Sequence, residues 1–89
     1  MIQNQYQQKY ISTAATTHIV TGSRGTTIHT VNVPIASAGT ITFQDIAAVV
    51  YFVLPVGTVG SLWLDVAVPN GLDVVTSASD KVIVSHQTP

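Results

Sequence analysis

The sequence predicts an all-β protein, an antiparallel β-sandwich or jelly-roll-like fold with seven or eight short strands. Three observations predict this class. Val, Ile and Thr, which are restricted at χ1 and favour extended backbone, dominate the chain, whereas Glu is absent and Met occurs once. Gly and Pro recur at intervals that suit short strands. No connection is long enough for a crossover helix, which argues against a parallel α/β sheet.

The first three strands are predicted around a polar arm and a glycine-rich turn. Segment 7–13, QQKYIST, is a weak first strand. Segments 16–21 and 26–33 flank the sequence GSRG, with glycine at both ends, which predicts a tight β-hairpin. In such a hairpin His18 and His29 would be cross-strand neighbours.

The next two strands differ in their patterns. Segment 40–45, TITFQD, alternates cleanly and places Ile41 and Phe43 inside. Segment 49–55, VVYFVLP, is apolar on both sides, so no polar residue fixes its register. We assign one set to the core and the other to a contact with another chain, and the swapped assignment is the alternative. The core set is Val50, Phe52 and Leu54, and the contact set is Val49, Tyr51 and Val53.

The last three strands complete the sandwich. Segment 61–68 alternates again, with leucines and valines on one face and Trp63 on the less apolar face, together with Ser61, Asp65 and Ala67. Segments 72–77 and 80–86 follow, separated by a short serine-containing turn. The chain length predicts one domain. We place a polar N-terminal arm with the weak first strand at 1–12 and a single β-sandwich domain at 13–89.

The low charge indicates a protein that works within an assembly. Charged residues make up 8% of the chain, against roughly 25% in ordinary soluble domains. A domain this small, with no cysteine for disulfides, commonly gains stability from oligomerisation. A net charge of −1 adds a tendency to associate. We therefore expect a homo-oligomer.

The composition also excludes several classes of partner. Three Lys and Arg residues against four Asp residues leave no electrostatic footprint for nucleic acid. The longest apolar run is far below the ~20 residues that a membrane-spanning helix needs. The N-terminal MIQNQYQQKY has no apolar core of a signal peptide, so we expect synthesis in the cytoplasm without secretion.

No residue pattern names a reaction or a cofactor. His18 and His29 are two imidazoles, and a zinc site usually needs three or four protein ligands. Segment 73–80, DVVTSASD, carries oxygen side chains but lacks the spacing and the Glu of a calcium loop, so turn formation is the favoured interpretation. The chain has neither a nucleophile elbow nor a phosphate-binding loop. We expect no enzyme activity, no metal and no cofactor.

Aromatic side chains are the candidate contact residues. Trp63 on its less apolar face could stack on a sugar, anchor a protein interface, or belong to the core. With Tyr51 and Val53 it would form one apolar patch, which indicates a subunit contact. Tyr6 and Tyr10 lie on one face of the N-terminal arm and could anchor it on a neighbour, and the alternative is a frayed terminus.

The C-terminal half to two thirds of the chain resembles a known group. The segments GTITFQD and GSLWLDVAVPNGLDVVTSASDKVIVSH are similar to those of small β-sandwich virion proteins of tailed bacteriophages. The resemblance implies a capsid-decorating or cement protein, often trimeric, or a small adaptor in a fibre or tail. It implies no catalytic residues. The polar N-terminal arm lies outside the similar region.

Residues and resemblance together predict a structural virion protein. The expected function is capsid decoration, in which a homo-oligomer, with a trimer as the expected state, binds the major capsid protein or another virion protein and stabilises a phage head. Its location would be the capsid surface after synthesis in the host cytoplasm. The expected contact residues are Tyr6, Tyr10, Val49, Tyr51, Val53 and Trp63. The alternative is a fibre or tail adaptor, or a carbohydrate- or receptor-binding module displayed on the virion.

Overall fold

The predicted all-β class is confirmed by a computed structural model that describes residues 7–21 and 25–87. Eight antiparallel strands form two four-stranded sheets. The strands are β1 (Gln7–Ile11), β2 (Thr16–Val20), β3 (Thr26–Val33), β4 (Ile41–Gln44), β5 (Val50–Leu54), β6 (Gly60–Val68), β7 (Leu72–Thr76) and β8 (Val82–Gln87).

The strand order is that of a jelly roll. Sheet I has the order β1-β8-β3-β6 and sheet II the order β2-β7-β4-β5. Only β4 and β5 are consecutive strands paired within one sheet, and every other connection crosses from one sheet to the other. The strand expected within the polar arm is β1, which pairs with β8 at the edge of sheet I.

The predicted hairpin between β2 and β3 is wrong. β2 pairs with β7 in sheet II, whereas β3 pairs with β6 and β8 in sheet I. His18 and His29 are therefore in different sheets and are not cross-strand neighbours. Glycines at the ends of a short connection permit a hairpin, but they equally permit a chain that crosses between two sheets. The turn residues 22–24 lie outside the described residues.

The core lies between the sheets and follows the predicted alternation. Ile41 and Phe43 of β4 are fully buried, as predicted. The Phe43 ring stacks on Phe52 of β5 at a centroid distance of 4.5 Å. On the inward side of β6, Leu62, Leu64 and Val66 are half-buried against the core and Val68 is fully buried, whereas the opposite residues of β6 are exposed. Besides Ile41 and Phe43, the large, fully buried side chains are Ile28, Val31, Val33, Val68, Leu72, Val74, Val82 and Val84.

A β-bulge changes the expected faces of β5. Phe43 pairs with Phe52, but Gln44 pairs with Val50, so Tyr51 is an extra residue in β5. Phe52 and Leu54 pack against the core as predicted. The core assignment of Val50 is wrong, because the extra residue turns its side chain outward and leaves it 51% exposed.

Buried aspartates organise the loops. The Asp80 carboxylate accepts hydrogen bonds from the N–H groups of Ala38 (2.7 Å) and Gly39 (3.0 Å). A Cβ atom on Gly39 would collide with the Ser77 hydroxyl, so this close approach requires glycine. At the β4–β5 turn, the Asp45 carboxylate accepts from the N–H groups of Ala47 and Val49.

Candidate functional site

The first candidate surface lies along β5 and the turn before it. We call Ile46, Val49, Val50 and Val53 the β5 surface. Their exposed fractions range from 41% to 58%, with Val49 the most exposed. The one charged residue of the turn, Asp45, is buried and its carboxylate is occupied by backbone N–H groups. The β5 surface is therefore apolar and uncharged.

Tyr51 lies beside this surface but is used within the chain. Its ring packs against the core, and its hydroxyl donates to the Gly71 carbonyl oxygen at 3.4 Å. Burial raises the pKa of Tyr51 above its ordinary value. Of the predicted contact set, Val49 and Val53 are thus the residues whose side chains face outward.

The four edge strands differ in how they are protected from pairing with other chains. β1 carries Lys9 among glutamines, β2 is threonine-rich with His18, and β6 carries Asp65 at an irregularity in its pairing. Charges and bulges at an edge discourage edge-to-edge association. β5 has the sequence VYFVL and no charged residue, and no strand pairs with its outer edge in the described part of the chain. It is the least protected of the four edges.

The second candidate surface is a cluster on the outer face of sheet I. We call His29, Trp63 and Asp65 the β6 cluster. Trp63 is 73% exposed, and its ring meets the His29 ring at a centroid distance of 5.2 Å and an interplanar angle of 88°. His29 Nδ1 lies 2.7 Å from Asp65 Oδ1. Because a carboxylate can only accept, this imidazole nitrogen donates the hydrogen bond.

Irregular pairing builds the β6 cluster. The register between β3 and both of its neighbours shifts between Ile28 and Thr30, which makes His29 the unpaired residue of β3 against β8. Asp65 has φ 48°, in the left-handed region that Asp tolerates better than most residues. These two departures from a regular ladder bring the imidazole and carboxylate together, and neither is visible as a motif in the sequence.

A second His–Asp pair on sheet II has the opposite exposure. His18 Nδ1 lies 2.8 Å from Asp73 Oδ1, and the two residues are directly opposite on β2 and β7. Here the imidazole is 63% exposed and the carboxylate 7%, whereas in the β6 cluster the values are 22% and 67%. The two histidines considered as zinc ligands are thus hydrogen-bonded to separate aspartates.

No group of three or more His or Asp residues in the described ranges is arranged to hold a metal ion. Of the residues weighed for calcium, Asp73 faces His18 and Asp80 accepts backbone N–H groups. Both carboxylates thus hold segments that are distant in sequence, and neither makes the local turn-forming bonds expected for this segment. The described residues also contain no helix of the length and hydropathy needed to cross a bilayer.

His86 is buried, and the sequence did not distinguish it from the other two histidines. It is 6% exposed and pairs with Gln7 on β1 and Ile28 on β3, in a row that faces the core. Its Nδ1 has no hydrogen-bond partner among the residues that the structure describes. Burial lowers the pKa of His86. Its register on β8 was the available signal, because the inward row there is otherwise apolar.

The remaining predicted contact residues lie apart from the β5 surface. Tyr10 is 54% exposed on β1, at the opposite edge of sheet I from Trp63. Tyr6 lies outside the described residues. The predicted single patch of Trp63 with Tyr51 and Val53 is not formed, because Trp63 is on sheet I and the other two are on sheet II. Sequence reasoning also missed the exposed apolar residues of two loops, Ile35, Val56 and Val59.

Comparison with known proteins adds little to this description. No protein-family model matches the chain, and no curated protein matches it. One similar solved structure comes from Bacillus endospore appendages, which form a novel family of disulfide-linked pili. The similarity covers 97% of this chain and 90% of that chain, at 14% identity and a TM-score of 0.49. The present chain has no cysteine.

Proposed function

We propose that this chain is a non-catalytic structural protein of a tailed-phage virion, a capsid decoration or cement protein that acts as a homo-oligomer. The β5 surface is the observation that carries this proposal. It joins an uncharged, unprotected sheet edge to exposed valines, and association with another chain would cover both. The virion assignment derives from the resemblance of the C-terminal segments to phage β-sandwich proteins.

The chemistry of the remaining side chains agrees with a structural role. All four aspartates are engaged in hydrogen bonds that stabilise loops or orient histidines. Two of the three histidines face those aspartates, and the third faces the core. Polar groups that serve the fold in this way are not arranged around a shared point where a substrate could react.

Self-association is expected to use β5 as a contact strand, with a trimer as the expected state. In a closed ring of three subunits, β5 of each subunit contacts a different surface of the next one. Repeated weak contacts with a symmetric shell then add up to firm attachment. The partner in this proposal is the major capsid protein or another virion protein, and the location is the capsid surface after synthesis in the host cytoplasm.

The oligomer is tested by sedimentation of the full chain at micromolar concentration. We expect a homo-oligomer for the native chain and dissociation for Val53→Lys, with a dissociation constant raised about a hundredfold or more, because an unpaired ammonium would be buried in an apolar contact. Ala67→Lys on the outer side of β6 is the matched control and should leave assembly unchanged. A native chain that sediments as a monomer would overturn the proposal.

Imaging of assembled particles tests the location. Addition of the purified chain to phage heads that lack it should produce regular density on the capsid lattice, and these heads should resist heating better than bare heads. Val53→Lys should lose both effects. Density at a tail or fibre, with none on the head, would replace capsid decoration by the adaptor function.

A further inference from the structure

We propose that the β6 cluster is a carbohydrate-binding site, in which Trp63 stacks on a sugar ring and the Asp65 carboxylate accepts hydrogen bonds from sugar hydroxyls. The expected ligand is a neutral glycan. This inference goes beyond the structural role proposed above and uses a different surface, on sheet I instead of sheet II.

The indole ring of Trp63 is displayed and not buried. It is the most exposed of the large apolar side chains in the described ranges, at 73%. Its contact with His29 is perpendicular, with the edge of one ring against the face of the other. Such a contact occupies at most one indole face, and the 73% exposure means that most of the side-chain surface is open to solvent.

The His29 ring that the indole contacts is held in place before any ligand binds. The His29 side chain is 22% exposed and is oriented by the 2.7 Å hydrogen bond to Asp65. The Asp65 backbone, at φ 48°, directs its carboxylate toward the same imidazole. A preorganised aromatic ring loses little conformational entropy on binding, which favours affinity for a small ligand.

Apart from the Asp65 carboxylate, the side chains in the row beside the ring are polar and uncharged. Thr30 lies directly opposite Trp63, Ser85 lies opposite Thr30, and Gln8 lies opposite Ser85 on the next strand. In the neighbouring outward row, the Ser61 hydroxyl donates to Asn32 Oδ1 at 3.4 Å. The row through Trp63 therefore carries hydroxyl and amide side chains, of which Ser85 is buried, and the neighbouring row continues from Asn32 to Ile83 and the exposed Tyr10.

This chemistry matches a sugar better than other ligands. A pyranose ring offers an apolar C–H face for the indole and a rim of hydroxyls for carboxylate, hydroxyl and amide groups. A phosphate-bearing ligand would meet the Asp65 carboxylate, with no Lys or Arg in these two rows to offset it. A protein contact centred on Trp63 would favour apolar neighbours around the ring, as in interface hot spots.

The test uses the fact that Trp63 is the only tryptophan in the chain. The full-length protein is applied to a panel of neutral and sialylated oligosaccharides, and bound sugars are titrated by tryptophan fluorescence. We expect binding of at least one neutral oligosaccharide with a shift in the emission of Trp63. In Trp63→Ala, panel binding should fall at least tenfold with an unchanged circular dichroism spectrum. Asp65→Asn, which tolerates the same backbone conformation, should weaken binding severalfold.

Ile35→Ala, in the exposed loop between β3 and β4 and outside both proposed surfaces, is the matched control and should bind the same oligosaccharide as the native chain. The proposal is overturned if no neutral oligosaccharide binds, if sialylated sugars are preferred, or if Trp63→Ala binds as well as the native chain. It is equally overturned if Trp63→Ala dissociates the oligomer and no sugar binds, since Trp63 is then a protein contact. A monomeric chain that binds sugar through Trp63 would reject the structural proposal and support this one.

Discussion

β5 and β6 follow each other along the chain and are both edge strands, yet they present opposite chemistry. β5 has no charged residue and exposes Val50 and Val53. β6 alternates strictly, buries one side and carries Asp65 on the other. The difference shows that one small fold can leave one edge uncharged and unprotected while the next strand carries a charge and an irregular pairing at its edge.

The largest expected effect on stability concerns Phe43, whose ring packs against the inner side of β5. Phe43→Ala removes a fully buried ring that stacks on Phe52, and it should lower the free energy of unfolding by about 3–5 kcal/mol. Urea denaturation at low protein concentration measures the loss. Val53→Ala, on the exposed side of the same ladder, should cost less than about 1 kcal/mol. Similar losses in the two variants would contradict the assignment of inner and outer faces.

An effect of intermediate size is expected when the two His–Asp pairs are compared by their contributions to the free energy of unfolding. His18→Ala removes the partner of a carboxylate that is 7% exposed, so the free energy of unfolding should fall by about 1–3 kcal/mol. His29→Ala leaves a carboxylate that is already 67% exposed and solvated, and the expected loss is about 0–1 kcal/mol. Parallel thermal and urea denaturation of the two variants gives the comparison. A larger loss for His29→Ala would mean that its ring packs more tightly than its exposure indicates.

The smallest expected effect is a pH dependence of stability that arises from the inner face of sheet I. Among the described residues, only this face carries a buried histidine, His86. Burial lowers the pKa of His86 below its ordinary value of 6.5, so the unfolded chain takes up a proton first as pH falls. Stability associated with His86 should be present above pH 6.5 and should decline below it, by at most about 1.4 kcal/mol per pH unit.

Urea denaturation between pH 7.5 and 5.5 measures this slope. His86→Leu removes the titrating group while keeping an apolar side chain in the row, so its slope should be smaller than that of the native chain. The other two histidines are present in both proteins and cancel in the comparison. Identical slopes would show that His86 contributes nothing to the acid sensitivity.

The positions of the strands were predictable because alternation is a local property. The predicted and observed bounds of β3 coincide, those of β6 differ by one residue at one end, and those of β4 differ by one residue at each end. The candidate sites were less predictable. The outward position of Val49 and Val53 agrees with the preferred assignment of β5, which the pattern left open to a swap, and a bulge at Tyr51 reversed the expected face of Val50. The β6 cluster depends on two further register shifts that leave no mark in residue spacing.

The sequence by itself determined the class of fold and the inner faces of most strands, because side chains alternate with a period of two and the apolar ones must be buried. Only the tertiary structure decided which strands pair, since strands distant in sequence meet through burial of a common core. That pairing sent His18 and His29 to separate sheets and gave each an aspartate partner. It also left β5 as an unprotected edge and placed Trp63 in an exposed position on the other sheet, because edge positions and bulges are set by neighbours in space.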